Sequence, residues 1–151
     1  MRKTLVWLVF GLFVLFVARL IYLADMGRGH RFFFWAAHIP AGDKVAHAFL
    51  FGTLALLANV AMDAARFQWG KITVLKGSLL VLIPTVIEEF SQLHFRSRSF
   101  DLFDLLADVI GISIGGWLAV MLDRHFSLFK ATTSLVRSDD PTATRRSQSS
   151  E

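Results

Sequence analysis

The sequence predicts an all-α integral membrane protein, a bundle of four transmembrane helices. Three observations predict it. The chain of 151 residues is 54% hydrophobic, with fifteen Phe and a mean hydropathy of +0.53, too apolar for an ordinary soluble domain. Four apolar runs are long enough to cross a bilayer, where a helix needs about 20 residues. The polar chain left between them is too short to cover four such runs in a soluble core. Cys is absent, so disulfides and thiolate metal sites are excluded.

The first run, Leu5 to Leu23, follows Arg2 and Lys3. It is longer than a signal-peptide core, carries Arg19 near its far end and has no small-x-small cleavage site, so it reads as a retained helix. The second run is Val45 to Met62. The third is about Ile72 to Phe90, with Lys76 placed one turn inside its start to snorkel and Pro84 placed to bend it. The fourth is Leu102 to Leu122. Residues 1–123 thus form a four-span membrane domain. Residues 124–151 are rich in Ser, Thr and Arg and predict a disordered basic cytoplasmic tail. Between the first two runs, Phe32, Phe33, Phe34 and Trp35 beside Arg28, His30 and Arg31 suit the membrane–water interface. Asn59 and Thr53 read as interhelical hydrogen-bonding groups.

The net charge of +4 arises from basic residues that mostly flank apolar runs. No basic stripe with interleaved aromatics lies outside them, so nucleic acid is not expected as a partner. Four spans place both termini on one side. That side takes ten Lys and Arg against five on the other, with Arg19 left out. The positive-inside rule makes the termini cytoplasmic, and the loops Asp25 to Lys44 and Ser91 to Asp101 face outward.

The stretch from Ile87 to Gly111 holds five of the twelve acidic residues, Glu88, Glu89, Asp101, Asp104 and Asp108, together with Arg96 and Arg98. Asp101, Asp104, Asp108, Gly111 and Gly115 fall at helical spacing on one face. Asp108 lies about 10 Å deeper than Asp101. A charge at the bilayer centre costs at least about 2.5–3.5 kcal/mol, so this face points at protein or water. Gly111-x-x-x-Gly115 lets another helix approach there. Asp43 and His47 are four apart at the start of the second run, and Glu89 and Gln92 three apart at the end of the third. All three run ends lie on the same predicted side. One cluster can therefore gather Lys44, His47, Glu89, Gln92, Arg98, Asp104 and Asp108, with opposite charges nearly balanced.

Two stretches, DKVAHAFLFGTLAL and EEFSQLHFRSRSFDLFDLLADVIGISIGG, resemble the VanZ-like family of small bacterial membrane proteins, over about residues 42–122. Asp43, Lys44 and His47 match its D-K-x-x-H, Glu89 and Gln92 its E-x-x-Q, Arg98 and Asp104 the spaced Arg and Asp, and Gly111 and Gly115 its glycines. Asp108 stands where the family usually has Asn, and the Pro often found between Gln and Arg is absent. The resemblance implies a bacterial cytoplasmic-membrane protein linked to cell-envelope and glycopeptide (teicoplanin) phenotypes. It supplies no established reaction.

Three roles remain open for the cluster. It can bind an anionic lipid-linked or peptidoglycan-type ligand, with Lys44, Gln92, Arg98, Asp104 and Asp108 as contacts and Arg98 as a bidentate clamp. It can catalyse a reaction on such a ligand, with Glu89 and His47 as base and acid. It can be a structural interhelical network, with Asp43, Gly111 and Gly115 structural in every case. A metal set of His47, Glu89, Asp104 and Asp108 matches no local ligand motif, so neither a metal nor another cofactor is expected. Membrane lipid is the expected partner. A transport path across four spans without a repeat would need a homodimer.

Overall fold

The computed structural model describes the backbone of residues 2–27, 40–94 and 101–138. Four helices dominate it: α1 (Arg2–Asp25), α2 (Gly42–Ala61), α3 (Lys76–Ser91) and α4 (Leu102–Ser138). A hairpin of β1 (Arg66–Trp69) and β2 (Ile72–Leu75) joins α2 to α3, and a 3-10 turn, Gln92–His94, ends α3. Among the described residues, three helices are long and apolar enough to cross a membrane: Lys3–Asp25, Gly42–Ala61 and Leu102–Phe126. The aromatic segment Phe32 to Trp35, and Arg96 and Arg98, lie outside the described residues.

The third run departs from its predicted form. Ile72 to Leu75 is strand, and α3 begins only at Lys76, as its first residue rather than a turn inside it. The cause is the hairpin, with register Trp69↔Ile72 to Arg66↔Leu75. Its two-residue turn puts Gly70 at φ 60°, a left-handed conformation that glycine adopts at little cost. Ile72, Thr73 and Val74 supply β-branched side chains suited to a strand. What remains of α3 is 16 residues, about 24 Å of helix.

Leu75, at the N-cap of α3, offers no side-chain hydrogen bond. Buried Asn59 of α2 supplies it instead. Its Oδ1 accepts the Ser78 N–H at 3.2 Å, and its Nδ2 donates to Ser78 Oγ at 2.9 Å and to the Ala55 carbonyl at 2.8 Å. One of the orphan donors at the head of α3 is thus satisfied from a neighbouring helix. This is the interhelical role the sequence assigns to Asn59. Gly77 makes the approach possible, because a Cβ there would lie 2.5 Å from Asn59 Oδ1.

The apolar core joins α1, α2, α3 and α4 through Val17, Phe51, Leu54, Ala55, Ala58, Val81 and Ile112. Most large apolar side chains of α1 point outward, among them Leu5, Leu8, Leu12 and Leu15, the pattern of a helix facing hydrocarbon rather than water. Lys3 pairs with Asp63 at 2.6 Å, which brings the start of α1 to the end of α2.

The expected disordered tail does not begin at residue 124. By contact pattern the chain divides into Met1–Val120 and Met121–Glu151, and the second unit is helical through Ser138. Residues 124–138 hold good helix formers and neither Gly nor Pro, so nothing local stops the helix. Residues 139–151 lie outside the described residues.

Candidate functional site

The site forms where α2 starts, α3 ends and α4 starts. Asp43 and Lys44 occupy the first turn of α2, where the helix dipole favours an acid. The Lys44 ammonium donates to Asp43 Oδ2 at 2.8 Å, Asp101 Oδ2 at 2.9 Å and Asp104 Oδ1 at 2.8 Å. An ammonium has three donors, and all three are used. The three carboxylates lie close enough together to share a metal ion, but the Lys44 ammonium takes the place of the cation.

Asp101 also starts α4. Its Oδ1 accepts the Phe103 N–H at 2.8 Å, a side-chain N-cap bond. The Lys44 ammonium beside it holds the Asp101 carboxyl below its ordinary value, assisted by the Phe103 N–H.

One turn along α2, His47 faces two acids of α4. Its Nδ1 lies 3.0 Å from Asp108 Oδ1, and its Nε2 lies 3.9 Å from Asp104 Oδ2. Asp108 is completely buried. Asp104 and Asp108 reach one imidazole because they are four apart on a helix face, as the sequence predicts.

Glu89 and Gln92 are buried at the end of α3. Gln92 Nε2 donates to Glu89 Oε2 at 3.0 Å and to Glu88 Oε1 at 3.1 Å. The Asp101 backbone N–H donates to Glu89 Oε1 at 3.0 Å. Glu89 therefore ties the end of α3 to the first residue before α4.

Below the charges, α2 and α4 touch at the backbone. A Cβ on Gly111 would run into the Ala48 carbonyl, and one on Gly115 into the Gly52 carbonyl. A Cβ on Gly52 would lie 2.9 Å from the Gly111 carbonyl oxygen. The sequence reading names Gly111 and Gly115 but misses their partners. The signal was present in Ala48-x-x-x-Gly52, a second small-residue pair at the same spacing.

Asp43, Lys44, His47, Glu89, Gln92, Asp104 and Asp108 are thus brought into one connected cluster, and Asp101 joins them as a fourth Asp. Arg98, the remaining predicted contact, lies outside the described residues. Arg19 lies over the Tyr22 ring, 5.7 Å from its centroid, a cation–π contact. Among the described residues, six acids (Asp43, Glu88, Glu89, Asp101, Asp104 and Asp108) surround one Lys and one His, so the cluster is acidic and rich in hydrogen-bond acceptors.

The fold and cluster define a helical protein with three helices able to span a membrane and a polar centre at one end of the helices. No protein-family model matches the chain. An uncharacterised protein of the fission yeast Schizosaccharomyces pombe is 30% identical over 111 residues, covering 74% of this chain and 64% of that protein. The chain therefore spans less than two thirds of that relative's length. No solved structure matches.

Proposed function

We propose that this chain is a VanZ-like membrane protein that receives the polar head of an anionic lipid-linked or peptidoglycan-type ligand at the cluster. The observation that carries this reading is the gathering of Lys44, His47, Glu89, Gln92, Asp101, Asp104 and Asp108 at the ends of apolar helices. Ionisable groups at such a place default to function. Lys44 already serves three carboxylates, so anion recognition falls to Arg98 and Arg96. The carboxylates and Gln92 suit hydroxyl or ammonium groups of the same head. The fungal relative lends no support to a teicoplanin phenotype or to a bacterial source, and those parts of the reading rest on the family resemblance alone.

The same proposal takes α3, extended by its 3-10 turn, as a fourth crossing, with both termini cytoplasmic in a bacterial inner membrane. The Lys3–Asp63 pair supports it, because one end of the bundle then holds the start of α1 and the end of α2. The cluster holds the start of α2, the end of α3 and the start of α4 at the other.

The test is mass spectrometry of lipids co-purifying with wild type and with Arg98→Ala. A specific anionic lipid present in the first and lost from the second supports the headgroup site. An identical bulk profile in both removes it and leaves an interhelical network.

A second reading, an intramembrane enzyme on such a ligand, draws on the His47–Asp108 pair, which has the form of a base held by a carboxylate. Glu89 suits the predicted base role less, since Oε1 and Oε2 each hold a hydrogen bond. Turnover of a lipid-linked phosphate that is lost in His47→Gln and survives in Glu89→Gln would favour this form of catalysis. Loss in Glu89→Gln alone would restore Glu89 as the base.

A further inference from the structure

An apolar cavity of about 380 Å³ lies between α1, α2 and α3, within the range of about 300–1,000 Å³ typical of ligand sites. Val14 and Ala18 of α1, Leu54 of α2, and Leu80 and Pro84 of α3 are among its walls. Thr85 and Glu88 are its polar members. The Thr85 hydroxyl is occupied, donating to the Val81 carbonyl at 2.8 Å, so the walls offer water almost nothing.

The shape selects the occupant. The α1 wall runs from Phe10 to Ile21, about 16 Å of helix. An apolar trough of that length suits one extended hydrocarbon chain.

The slot is also connected to the cluster. Glu88 lines it at the end where α3 approaches Gln92. The Gln92 Nε2 that donates to Glu88 at 3.1 Å also donates to Glu89 at 3.0 Å. An apolar slot thus continues, through two hydrogen bonds, into the charged centre.

We propose that this slot holds one hydrocarbon chain of a lipid whose head lies at its Glu88–Gln92 end. The inference rests on the reading of the cluster as a headgroup site and names the tail that site would hold.

Photo-crosslinking reads the tail directly. Full-length protein in nanodiscs is irradiated with phosphatidylethanolamine carrying a diazirine in its acyl chain, a lipid whose ammonium can donate to Glu88. Adducts are mapped by peptide mass spectrometry. They are expected at Val17, Leu54 and Val81, which line the slot and are buried, as well as at Leu12 and Leu15, which bulk lipid reaches on the outward face of α1. Ala18→Phe fills the slot and should cut adducts at Leu54 and Val81 several-fold, leaving those at Leu12 and Leu15 unchanged. Should it fail to fold, Ala18→Leu makes the same test with a smaller side chain. Labelling confined to exposed positions and absent from Val17, Leu54 and Val81, or undiminished slot labelling in the filled variant, overturns the proposal. Failure of the headgroup reading looks different: Arg98→Ala keeps the wild-type lipid profile while slot labelling persists, which retains the slot and removes the head site.

Discussion

At the scale of single residues, Lys44 decides how the cluster's charge is held. It is the cation to which Asp43, Asp101 and Asp104 are hydrogen-bonded, so its loss leaves three carboxylates facing one another. Lys44→Met should cost about 1–2 kcal/mol, between an exposed and a buried ion pair, since Lys44 and two of its three partners are partly or largely exposed. A double-mutant cycle with Asp104→Asn should show a coupling of about 0.5–3 kcal/mol by denaturation in detergent. Additive effects would mean that the pair does not form. Asp101 gives the cluster a pH dependence with a definite sign. Its folded carboxyl titrates below its ordinary value of 3.8, so the unfolded chain binds the proton more readily. The stabilisation is complete above that value and is lost as pH falls through the folded one. The thermal midpoint of wild type should therefore drop more steeply below about pH 4 than that of Asp101→Asn. Equal slopes would separate Asp101 from the network.

At the scale of elements, two close contacts set the positions of the helices. The α2–α4 seam depends on missing side chains at Gly52, Gly111 and Gly115. Gly111→Ala should destabilise by more than about 2 kcal/mol, because the clash is with the rigid Ala48 backbone rather than a movable side chain. Gly11→Ala is the control: a Cβ there meets nothing within 4 Å, so its thermal midpoint should match wild type or exceed it slightly. If both variants behave alike, the seam is not a packing constraint. Asn59→Leu removes the cap of α3 and leaves the Ser78 N–H unsatisfied, which should cost about 1–3 kcal/mol. Hydrogen exchange should then quicken first in the opening turn of α3. Protection unchanged there would argue against a cap supplied from α2.

At the scale of the whole molecule, the proposed topology can be read chemically, because the chain has no Cys and each introduced thiol is unique. Single-Cys variants at Lys3 and Gln68 should react with an impermeant maleimide from one face of the membrane, and one at Asp43 from the other. Reaction of all three from a single face would remove the four-span arrangement. The charge placement matters at this scale too. The polar groups gather at one end of the helices, where three chain segments meet, and the faces left over are apolar and turned outward.

The amino-acid sequence by itself determined the helical class, three of the four apolar runs it marks as spans, and which polar residues share a helix face. Period and spacing carry that information: Asp101, Asp104, Asp108, Gly111 and Gly115 share a face in any helix that contains them. It did not show that α3 starts at Lys76, because hydropathy cannot separate a short apolar strand from the head of an apolar helix. Only pairing with Arg66 to Trp69 makes that distinction. Nor did it show that the helix runs on through residues 124–138, since polar composition alone does not separate an exposed helix from coil. Tertiary structure alone decided who partners whom. It gave Lys44 to Asp101 and Asp104, His47 to Asp108, Glu89 to the Asp101 backbone and Gly111 to Ala48. Each of these contacts joins residues from different elements, and a distance across space is not encoded in the local periods from which a sequence is read.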